Sequence, residues 1–484
     1  MMDIPRIAES AVSYSLANGL LHGETVSGQQ YFTHMPLSLF PFPISETAYN
    51  HGLRLNSLFG ELVMRICEKP DILFRELKDV TDDFTVNLIK IAKRAIESPY
   101  FQPRVMGVMR SDYMLERDKV TKESQMFQIE LNTISCSFTG EEEQLTKLHQ
   151  YVLSSHQSDL EAIAKFMNVS VMDIERYVKD TEFNKTAEGT CDGLYEGVTT
   201  YNRTYGTKDT IVLVVCQEGE NNSVDQALLT LRLYTKYHVL SVYQTHQQLL
   251  QSMQVDNGVM MVDNHEVAVV YFRSGYTPAD YSSQELWGVR ERIECCRAIK
   301  CPNVLLHLTG CKKMQQQLSM AGIIEELMGD ETKAMELRQC FAPMYPAYEV
   351  VNGIYPQVFA DVNENPYQYV LKPQREGGGF NLWGEEIVST LKRNDRQELE
   401  NLILMKRIFP EEHECVHVKM GVSSVYPSLS EIGFYSCVLF DTDKKSMLFA
   451  KDVGVLVRTK VSDSLEGGVS AGFAVLDSPI VVTQ

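Results

Sequence analysis

Residues 369–386 read YVLKPQREGGGFNLWGEE, and this stretch says most about the fold of the chain. A short strand-like run is followed by Lys372, by the acid Glu376 and by three successive glycines, Gly377, Gly378 and Gly379. Glycines let backbone N–H groups approach an anion closely, and a lysine beside them supplies a charge suited to phosphate. The acid can hold the Mg²⁺ that accompanies phosphate. The stretch therefore predicts nucleotide phosphoryl chemistry, with a solvated turn as the alternative for the glycines alone.

The usual glycine motifs of nucleotide-binding folds do not occur in the sequence. It has no G-x-x-x-x-G-K-[ST] segment, which argues against a P-loop NTPase. The G-x-G-x-x-G spacing of a dinucleotide fold also fails, because Leu382 stands where the last glycine belongs. The predicted nucleotide site therefore belongs to another architecture.

A second segment, residues 127–138, reads FQIELNTISCSF and predicts a strand. Its alternation places Gln128, Glu130 and Asn132 on one face of that strand. Glu130 and Asn132 thus present two hard oxygen ligands side by side, which is half of a magnesium site.

Together with five further motifs, these segments resemble the eukaryotic-type glutathione synthetases, a family of ATP-grasp ligases. The further motifs are RSDYM at 110–114, YFRSGY at 271–276, GCKKMQQ at 310–316, VRTK at 457–460 and EGGVSAGFAVLD at 466–477. The resemblance runs in order over nearly the whole chain. It implies an α/β ATP-grasp fold with a helical N-terminal part, an inserted parallel α/β substrate domain and a glycine-rich lid. The implied parts are 1–205 (helical and first part of the body), 206–311 (inserted domain) and 312–484 (body and lid, with the loop 376–379).

Composition narrows the class of protein. A chain of 484 residues is long enough for two or three cores, and its net charge of −19 argues against non-specific nucleic acid binding. No run approaches 18 apolar residues, and the N-terminus has no basic region followed by an apolar stretch. The eleven cysteines include no C-x-x-C pair and are typical of reduced thiols. We therefore expect a cytoplasmic protein that does not bind membranes.

Hydrophobic spacing indicates the order of the elements. Residues 1–125 are predicted to be mostly helical, and from residue 210 strands and helices alternate as in a parallel α/β domain that ends near 310. Strands dominate beyond residue 367. The predicted helices are 53–67, 86–96, 149–167, 169–178, 224–237 and 312–328, and the predicted strands are 211–217, 238–243, 267–276, 369–373, 402–409, 426–440 and 454–460.

The resemblance implies a reaction that joins γ-glutamylcysteine to glycine. ATP phosphorylates the cysteinyl carboxylate, glycine attacks the acyl phosphate, and glutathione, ADP and phosphate leave. Such chemistry needs charge neutralisation and positioning more than a nucleophilic side chain. Two alternatives stay open: a ligase that uses β-alanine or serine, and a non-catalytic ATP-binding regulatory module. Retention of Glu130, Asn132, Lys372 and Glu376 argues against the module.

The resemblance also implies cofactors, partners and site residues. Two Mg²⁺ ions would accompany ATP, and the chain would form a homodimer. The implied metal ligands are Glu130, Asn132 and Glu376, and the implied catalytic residues are Arg110 and Arg458. The implied ATP-binding residues are Glu130, Lys312, Lys372, Gly377, Gly378, Gly379, Asn381, Trp383, Met405, Lys406, Arg407, Ile408, Glu431, Lys460 and Glu466. The implied substrate-binding residues are Arg110, Ser135, Cys136, Ser137, Asn222, Gln226, Arg273, Ser274, Gly275, Tyr276, Arg458, Val469 and Ser470.

Some of these assignments carry finer expectations. Lys313 is adjacent to Lys312, so either lysine could face the phosphates. Ser135 and Ser137 are expected to share one strand face, as are Arg458 and Lys460. Residues 405–408 would form the adenine-binding strand and Glu431 would bind the ribose. Arg458 would take a substrate carboxylate, and Val469 and Ser470 would set the room left for the acceptor.

The sequence departs from the family pattern at several positions. Ser274 stands where the family usually has an acid, and Lys406 stands where many members carry one. Phe380 replaces an amide, Trp383 replaces a tyrosine, and Ser470 replaces a small alanine. None of these departures removes an implied metal or phosphate ligand, so they bear on the choice of acceptor more than on activity.

Overall fold

The computed structural model describes residues 2–117, 124–374, 380–469 and 472–483. Its strands, in chain order, are β1 (Leu21–Val26), β2 (Gln29–His34), β3 (Leu37–Ser38), β4 (Phe42–Ser45), β5 (Arg104–Arg117), β6 (Ser124–Asn132), β7 (Ile211–Cys216), β8 (Ser241–Thr245), β9 (Gln254–Asp256), β10 (Val259–Val262), β11 (His265–Phe272), β12 (Ile299–Cys301), β13 (Met344–Pro346), β14 (Tyr369–Pro373), β15 (Leu382–Trp383), β16 (Leu402–Lys406), β17 (His413–Lys419), β18 (Val422–Asp441), β19 (Ser446–Val461), β20 (Ala474–Asp477) and β21 (Pro479–Val482).

Helices cover and connect these strands. The α-helices are α1 (Ile4–Ala17), α2 (Glu46–Glu68), α3 (Pro70–Glu76), α4 (Asp83–Glu97), α5 (Thr139–Ser155), α6 (Leu160–Met167), α7 (Val171–Lys179), α8 (Thr186–Tyr205), α9 (Ser223–Tyr237), α10 (His246–Ser252), α11 (Gln284–Glu294), α12 (Val304–Thr309), α13 (Lys312–Ser319), α14 (Ile323–Met328), α15 (Glu331–Gln339), α16 (Ala347–Val351), α17 (Pro356–Glu364), α18 (Glu385–Arg393) and α19 (Arg396–Leu399). Short 3₁₀ helices lie at Gln157–Asp159, Pro278–Tyr281 and Pro366–Gln368.

A seven-stranded sheet is the centre of the molecule, with strand order β17-β3-β20-β19-β18-β5-β6. Its long central strands β18 and β19 pair antiparallel, and β5 lies antiparallel between β18 and β6. Apolar side chains on its two faces enter two large buried clusters, one shared with α2 and α4 and the other with α5 and α8. The sheet is therefore a rigid support for polar groups at its open end.

Two smaller sheets accompany the central sheet, and β1–β2 and β4–β21 form separate two-stranded sheets. In the six-stranded sheet, β8, β7, β11 and β12 run parallel, and the continuous apolar run of β7 is buried as parallel strands require. The four-stranded sheet has the order β13-β16-β14-β15 and its own apolar cluster with α16, α17 and α18. This confirms the predicted mixed α/β class, whereas the predicted boundaries at 205 and 311 stay predictions.

Several predicted elements are confirmed, and three predictions are wrong. The predicted helix at 149–167 is two helices, because the backbone leaves helical geometry at the buried His156, whose ring bonds with the Ser10 hydroxyl. The predicted helix at 312–328 is broken before Gly322, whose φ of +104° is outside the helical region. The N-terminal quarter is not mostly helical, since β1–β5 lie there. β5 is buried on both faces over most of its length, so it shows no strand alternation in the sequence.

Candidate functional site

A cavity of about 380 Å³ lies between the seven-stranded and the four-stranded sheets. Its volume is in the range of small-molecule sites. Most residues singled out in the sequence line it: Arg110, Glu130, Asn132, Ser135, Cys136, Ser137, Tyr276, Lys312, Lys372, Asn381, Trp383, Met405, Lys406, Arg407, Ile408, Glu431, Arg458, Lys460, Glu466 and Val469. Residues as far apart in the sequence as Arg110 and Val469 therefore line the same cavity.

Adjacent strands of the seven-stranded sheet supply one wall of the cavity. On β5, β6 and β19 polar residues stand two apart, so each of these strands points two polar side chains to the same face, and β18 adds Glu431. The register places Asn132 opposite Arg110 and Arg458 opposite Glu431. The predicted two-residue spacing on β6 and β19 is what delivers these groups together. The prediction is wrong for Gln128, because the β5–β6 register shifts before Gln128, which donates to the Ser111 hydroxyl at 2.7 Å instead of lining the cavity.

Two arginines meet carboxylates in this wall. Arg110 donates from Nε to Asp112 Oδ1 at 2.6 Å and from Nη2 to Asp112 Oδ2 at 2.9 Å. Arg458 Nη2 donates to Asp112 Oδ2 at 2.8 Å, contacts Glu431, and lies 3.8 Å from Glu130 Oε1. In the described part of the chain these contacts of Arg458 all run through Nη2, which leaves Nε and Nη1 of its fork for a ligand.

Lysines face the same carboxylates from the other side. Lys312, at the start of α13, donates to Glu130 Oε2 at 2.6 Å, and Lys372 on β14 donates to the Ile129 carbonyl at 3.1 Å. Burial and the nearby Lys312 lower the pKa of Lys372 to about 8. Burial alone would raise the pKa of Glu130, but Lys312 and Arg458 together hold it well below its usual range. Glu130 is therefore ionised and two cations stand beside it.

The adjacent residues Lys312 and Lys313 point in different directions. Lys312 lines the cavity, whereas the Lys313 ammonium donates to Gln316 Oε1 at 2.8 Å on its own helix. Of the two, Lys312 is the lysine that faces the cavity.

The same wall could hold a divalent cation. Asn132 lies beside Glu130, with 3.3 Å between Asn132 Nδ2 and Glu130 Oε1. Carboxylate oxygens of Asp112, Glu130 and Glu431 all lie within 4.8 Å of one another. Carboxylate and amide oxygens are the hard ligands that Mg²⁺ takes, so the donor set fits that ion. The predicted ligand Glu376 lies outside the described residues.

The four-stranded sheet supplies an apolar and aromatic end of the cavity. Met405 on β16 is buried, and Trp383 on β15 donates from Nε1 to Glu466 Oε1 at 3.2 Å. The Arg407 guanidinium lies 5.3 Å from the Trp383 ring. The predicted strand 405–408 ends at Lys406, and Arg407 and Ile408 continue the wall beyond it. Gly377, Gly378 and Gly379 lie outside the described residues.

At the opposite end, the six-stranded sheet approaches the cavity through Arg273. This buried side chain donates from Nη2 to the Ser137 hydroxyl at 2.9 Å and from Nη1 to Asp225 Oδ2 at 2.9 Å. Asp225 also accepts from the backbone N–H groups of Phe138 (2.9 Å) and Gly140 (2.7 Å). Asp225 thereby ties α9 to the segment that follows β6.

Five predicted substrate residues stand behind the cavity wall rather than in it: Asn222, Gln226, Arg273, Ser274 and Gly275. Gln226 donates to Glu220 Oε2 at 2.8 Å. Neither amide atom of the buried Asn222 has a partner within the described ranges, and the same holds for Arg273 Nε. These buried polar atoms need a partner, and a polar ligand would supply one.

The departure at Ser274 has a structural counterpart. The Ser274 hydroxyl donates to Asp280 Oδ1 at 2.9 Å, and Gln217 bridges Tyr276 and the same carboxylate. An acid therefore stands next to position 274 although the residue itself is a serine.

One expectation on this side is wrong, and two acids were missed. Ser135 and Ser137 do not share a strand face, because β6 ends at Asn132 and Ser135 has a φ of +52°. Asp112 and Asp225 are both buried and join predicted residues to one another, yet neither was singled out in the sequence. For Asp112 the signal was its place two residues after Arg110 on the same strand; for Asp225 it was its place between Asn222 and Gln226. Ser470 lies outside the described residues.

A family model and individual relatives all match the chain to glutathione synthetases. A model of the family described as "Eukaryotic glutathione synthase, ATP binding domain" matches residues 2–481. The chain is 33% identical to the human glutathione synthetase, covering 99% of this chain and 97% of that protein. It is 32% identical to the glutathione synthetase of Dictyostelium discoideum, covering 98% of each, and 33% identical to the chloroplastic glutathione synthetase of Solanum lycopersicum, covering 99% and 84%.

A solved structure shows the same fold. The apo form of a glutathione synthetase like-effector from Globodera pallida matches with a TM-score of 0.74 at 19% identity, covering 99% of this chain and 97% of that one.

Proposed function

Because this chain belongs to the eukaryotic glutathione synthase family, we propose that it is an ATP-dependent C–N ligase that makes glutathione from γ-glutamylcysteine and glycine. One observation carries the proposal: a single cavity is lined by Glu130 and Asn132, by Lys312 and Lys372 beside them, and by Arg110 and Arg458. Oxygen atoms that can bind Mg²⁺, ammonium groups that can bind phosphate and guanidinium groups that can bind carboxylates therefore line the same cavity. A regulatory module without catalysis would not need all three.

The residues divide the work of an acyl phosphate mechanism. Lys312 and Lys372 neutralise the phosphates of ATP as charge moves to the leaving group, and Arg110 orients the cysteinyl carboxylate that is phosphorylated. Arg458 holds the carboxylate of glycine so that its amine reaches the acyl carbon. When bound, Mg²⁺ neutralises phosphate charge, and Glu130, Asn132 and Glu376 would hold two such ions. Solvent exclusion around these groups protects the acyl phosphate from hydrolysis.

The remaining site residues follow from the same placement. We assign the adenine to the apolar end at Trp383, Met405 and Ile408, and the ribose to Glu431. The γ-glutamyl group goes to the end at Ser137, Arg273 and Tyr276, where the unpartnered N–H groups of Asn222 and Arg273 can donate new hydrogen bonds and Asn222 Oδ1 can accept one. Lys460 and the glycines Gly377, Gly378 and Gly379 are assigned to the phosphates, and Val469 and Ser470 to the acceptor.

The proposal is tested by measuring phosphate release from ATP. With Mg²⁺ and γ-glutamylcysteine, release is expected to be slow without glycine and fast with it, and glutathione should form in equal amount. Fast release only with β-alanine or serine would identify the alternative ligase. Binding of ATP without release under any of these conditions would identify a regulatory module and contradict the proposal.

Two properties of the whole protein are proposed with it. We propose that the chain forms a homodimer, which light scattering coupled to size-exclusion chromatography would test against a mass of 55.0 kDa for one chain. We also propose a cytoplasmic location, because no disulfide joins cysteines in the described part of the chain, as a reducing compartment favours. In the described part of the chain, no helix has both the length and the apolar character needed to cross a membrane. Fluorescence microscopy of the tagged full-length chain would test the location.

A further inference from the structure

Asp112 is completely buried and accepts four hydrogen bonds in the wall of the cavity. Two come from Arg110 Nε and Nη2, one from Arg458 Nη2 at 2.8 Å, and one from Asn132 Nδ2 at 2.9 Å. Oδ2 accepts three of these bonds and Oδ1 accepts one, so both oxygens of Asp112 are engaged by side chains of the wall, and Asp112 itself does not line the cavity. Its partners, in contrast, all line the cavity.

The fold makes room for this carboxylate at one point. Gly433 on β18 is the register partner of Asp112 on β5. A Cβ atom at position 433 would lie 2.5 Å from Asp112 Oδ1 and 2.7 Å from Arg110 Cδ. Any side chain there would therefore displace the Arg110–Asp112 pair.

We propose that Asp112 is the positioning residue for both arginines of the substrate site, and that it acts through them without touching either substrate. The inference rests on the proposed function of Arg110 and Arg458. Asp112 holds one edge of each guanidinium inside the sheet, so the remaining N–H groups point to the ligand in a fixed direction. Because a single carboxylate fixes both arginines, the dipeptide and acceptor subsites keep a constant separation.

The first test is the substitution Asp112→Asn, which keeps the shape and one acceptor oxygen but removes the charge. Losing charge-assisted bonds to both arginines is expected to raise KM for γ-glutamylcysteine and for glycine by at least about tenfold. KM for ATP should change less than either of these values, because neither arginine is assigned to the nucleotide and Asn132, which donates to Asp112 through Nδ2, keeps its carbonyl oxygen for Mg²⁺. Steady-state kinetics with each substrate varied in turn measures this split.

Gly433→Ala provides an independent route to the same displacement without removing a charge. It should raise the same two KM values and leave that for ATP nearly unchanged. Asp441→Asn is the matched control. Asp441 on β18 is, like Asp112, a buried acid that pairs with an arginine of β5, since its Oδ2 lies 3.3 Å from Arg104 Nε. This pair lies at the far end of the β5–β18 ladder. Thermal unfolding of all variants, followed by intrinsic fluorescence, reports any general loss of fold.

The outcomes separate positioning from general support of the fold. Selective increases in Asp112→Asn and Gly433→Ala, absent in Asp441→Asn, would support the proposal. Unchanged KM values in Asp112→Asn, or equal increases for all three substrates, would overturn it. If Asp112→Asn does not fold, Gly433→Ala decides by the same criterion. A wild-type chain that forms no glutathione would refute the proposed function and the positioning role together, whereas an active wild type with unaltered variants refutes the positioning role alone.

Discussion

At the scale of single residues, the burial of Lys372 bears on the ATP-binding role that we propose for it. Its ammonium is held against the Ile129 carbonyl, and burial with the nearby Lys312 lowers its pKa to about 8. The charged form is therefore lost as pH rises through about 8, well below the range in which an exposed lysine loses its proton. In the proposed site, bound ATP would place negative charge beside this ammonium and raise its pKa again.

We expect the affinity for ATP to fall between pH 7 and pH 9, and Lys372→Met to remove this pH dependence. The variant should also weaken ATP binding at pH 7 by about 1.5–3 kcal/mol, because a charge-assisted contact is lost, and leave γ-glutamylcysteine binding nearly intact. Calorimetric titration with each ligand at several pH values measures both effects. Lys313→Met is the control, since Lys313 faces Gln316. Equal losses for both ligands would mean that Lys372 has a structural role.

Glu130 is the residue on which the metal assignment depends. Its contacts with Lys312 and Arg458 keep it ionised, so the loss of its charge requires a substitution rather than a change of pH. Glu130→Gln should lower kcat by about a hundredfold or more and raise the Mg²⁺ concentration needed for half-maximal activity, because a hard charged ligand becomes neutral. Chelation with EDTA should abolish turnover of the wild type, and added Mg²⁺ should restore it.

The control for this prediction is Glu143→Gln. Like Glu130, Glu143 is paired with two cations, Lys147 and Arg232, but it is buried on α5 away from the cavity. The metal assignment is wrong if both variants show the same Mg²⁺ dependence.

At the scale of elements, the loop after β19 is where the choice of acceptor should reside. Lys460 Nζ donates to the Leu465 carbonyl at 2.9 Å and Trp383 holds Glu466, so this loop is fastened to both sheets before it reaches Val469. Val469 is buried and lines the cavity. A larger side chain at this position therefore has to enter the space assigned to glycine.

Val469→Leu should depress the use of glycine by about tenfold, within the 1–3 kcal/mol that small steric differences contribute in a shaped pocket. The wild type should prefer glycine over β-alanine and serine by a finite ratio. Competition among the three amines at equal concentrations, with the products separated by chromatography, gives the ratio directly. Ser470→Ala is the comparison variant and should keep the preference for glycine. An unchanged ratio in both variants would place acceptor selection elsewhere.

The sequence predicts elements well where one local pattern decides them. The run Ile211–Cys216 is apolar throughout and is a buried parallel strand, and Glu130 with Asn132 lies on one face of β6 as their spacing predicts. Prediction fails where a distant contact decides the backbone. His156 ends α5 through a contact with Ser10, 146 positions away, and the segment after β6 turns at Ser135 to meet Arg273.

The same limit explains the site residues that were missed. Asp112 becomes important only because β5 lies beside β18 and β6, and no spacing within β5 reveals those neighbours. Likewise, Asp280 lies next to Ser274 through a turn whose geometry is set by Thr277. Neighbours within one regular strand can be predicted from the sequence, whereas pairs made by sheet order or by an irregular turn cannot.

At the scale of the whole molecule, a buried polar network joins the central sheet to the helices that cover it. Asp477 at the end of β20 accepts from the Thr459 hydroxyl on β19 at 2.8 Å, and the neighbouring Ser478 hydroxyl bonds with His149 on α5 and Tyr177 on α7. Such networks stabilise a unique arrangement only when every member keeps its partners. The protonation of Asp477 therefore affects how the sheet and its helices stay together.

Burial raises the pKa of Asp477 to about 7 from an ordinary value of 3.8. Between those values the unfolded chain has lost the proton and the folded chain keeps it, so the folded state binds more protons and loses stability as pH rises. The contribution is fully present below pH 4 and is gone above pH 7, at a total of about 4 kcal/mol. Asp477→Asn cannot ionise, so it should make the free energy of unfolding less dependent on pH between 5 and 8. Denaturant titrations of both proteins at pH 5 and pH 8 measure the difference, with the exposed Asp463→Asn as a control that keeps the wild-type slope. If Asp477→Asn also keeps that slope, Asp477 is ionised in the folded protein and the network does not hold its proton.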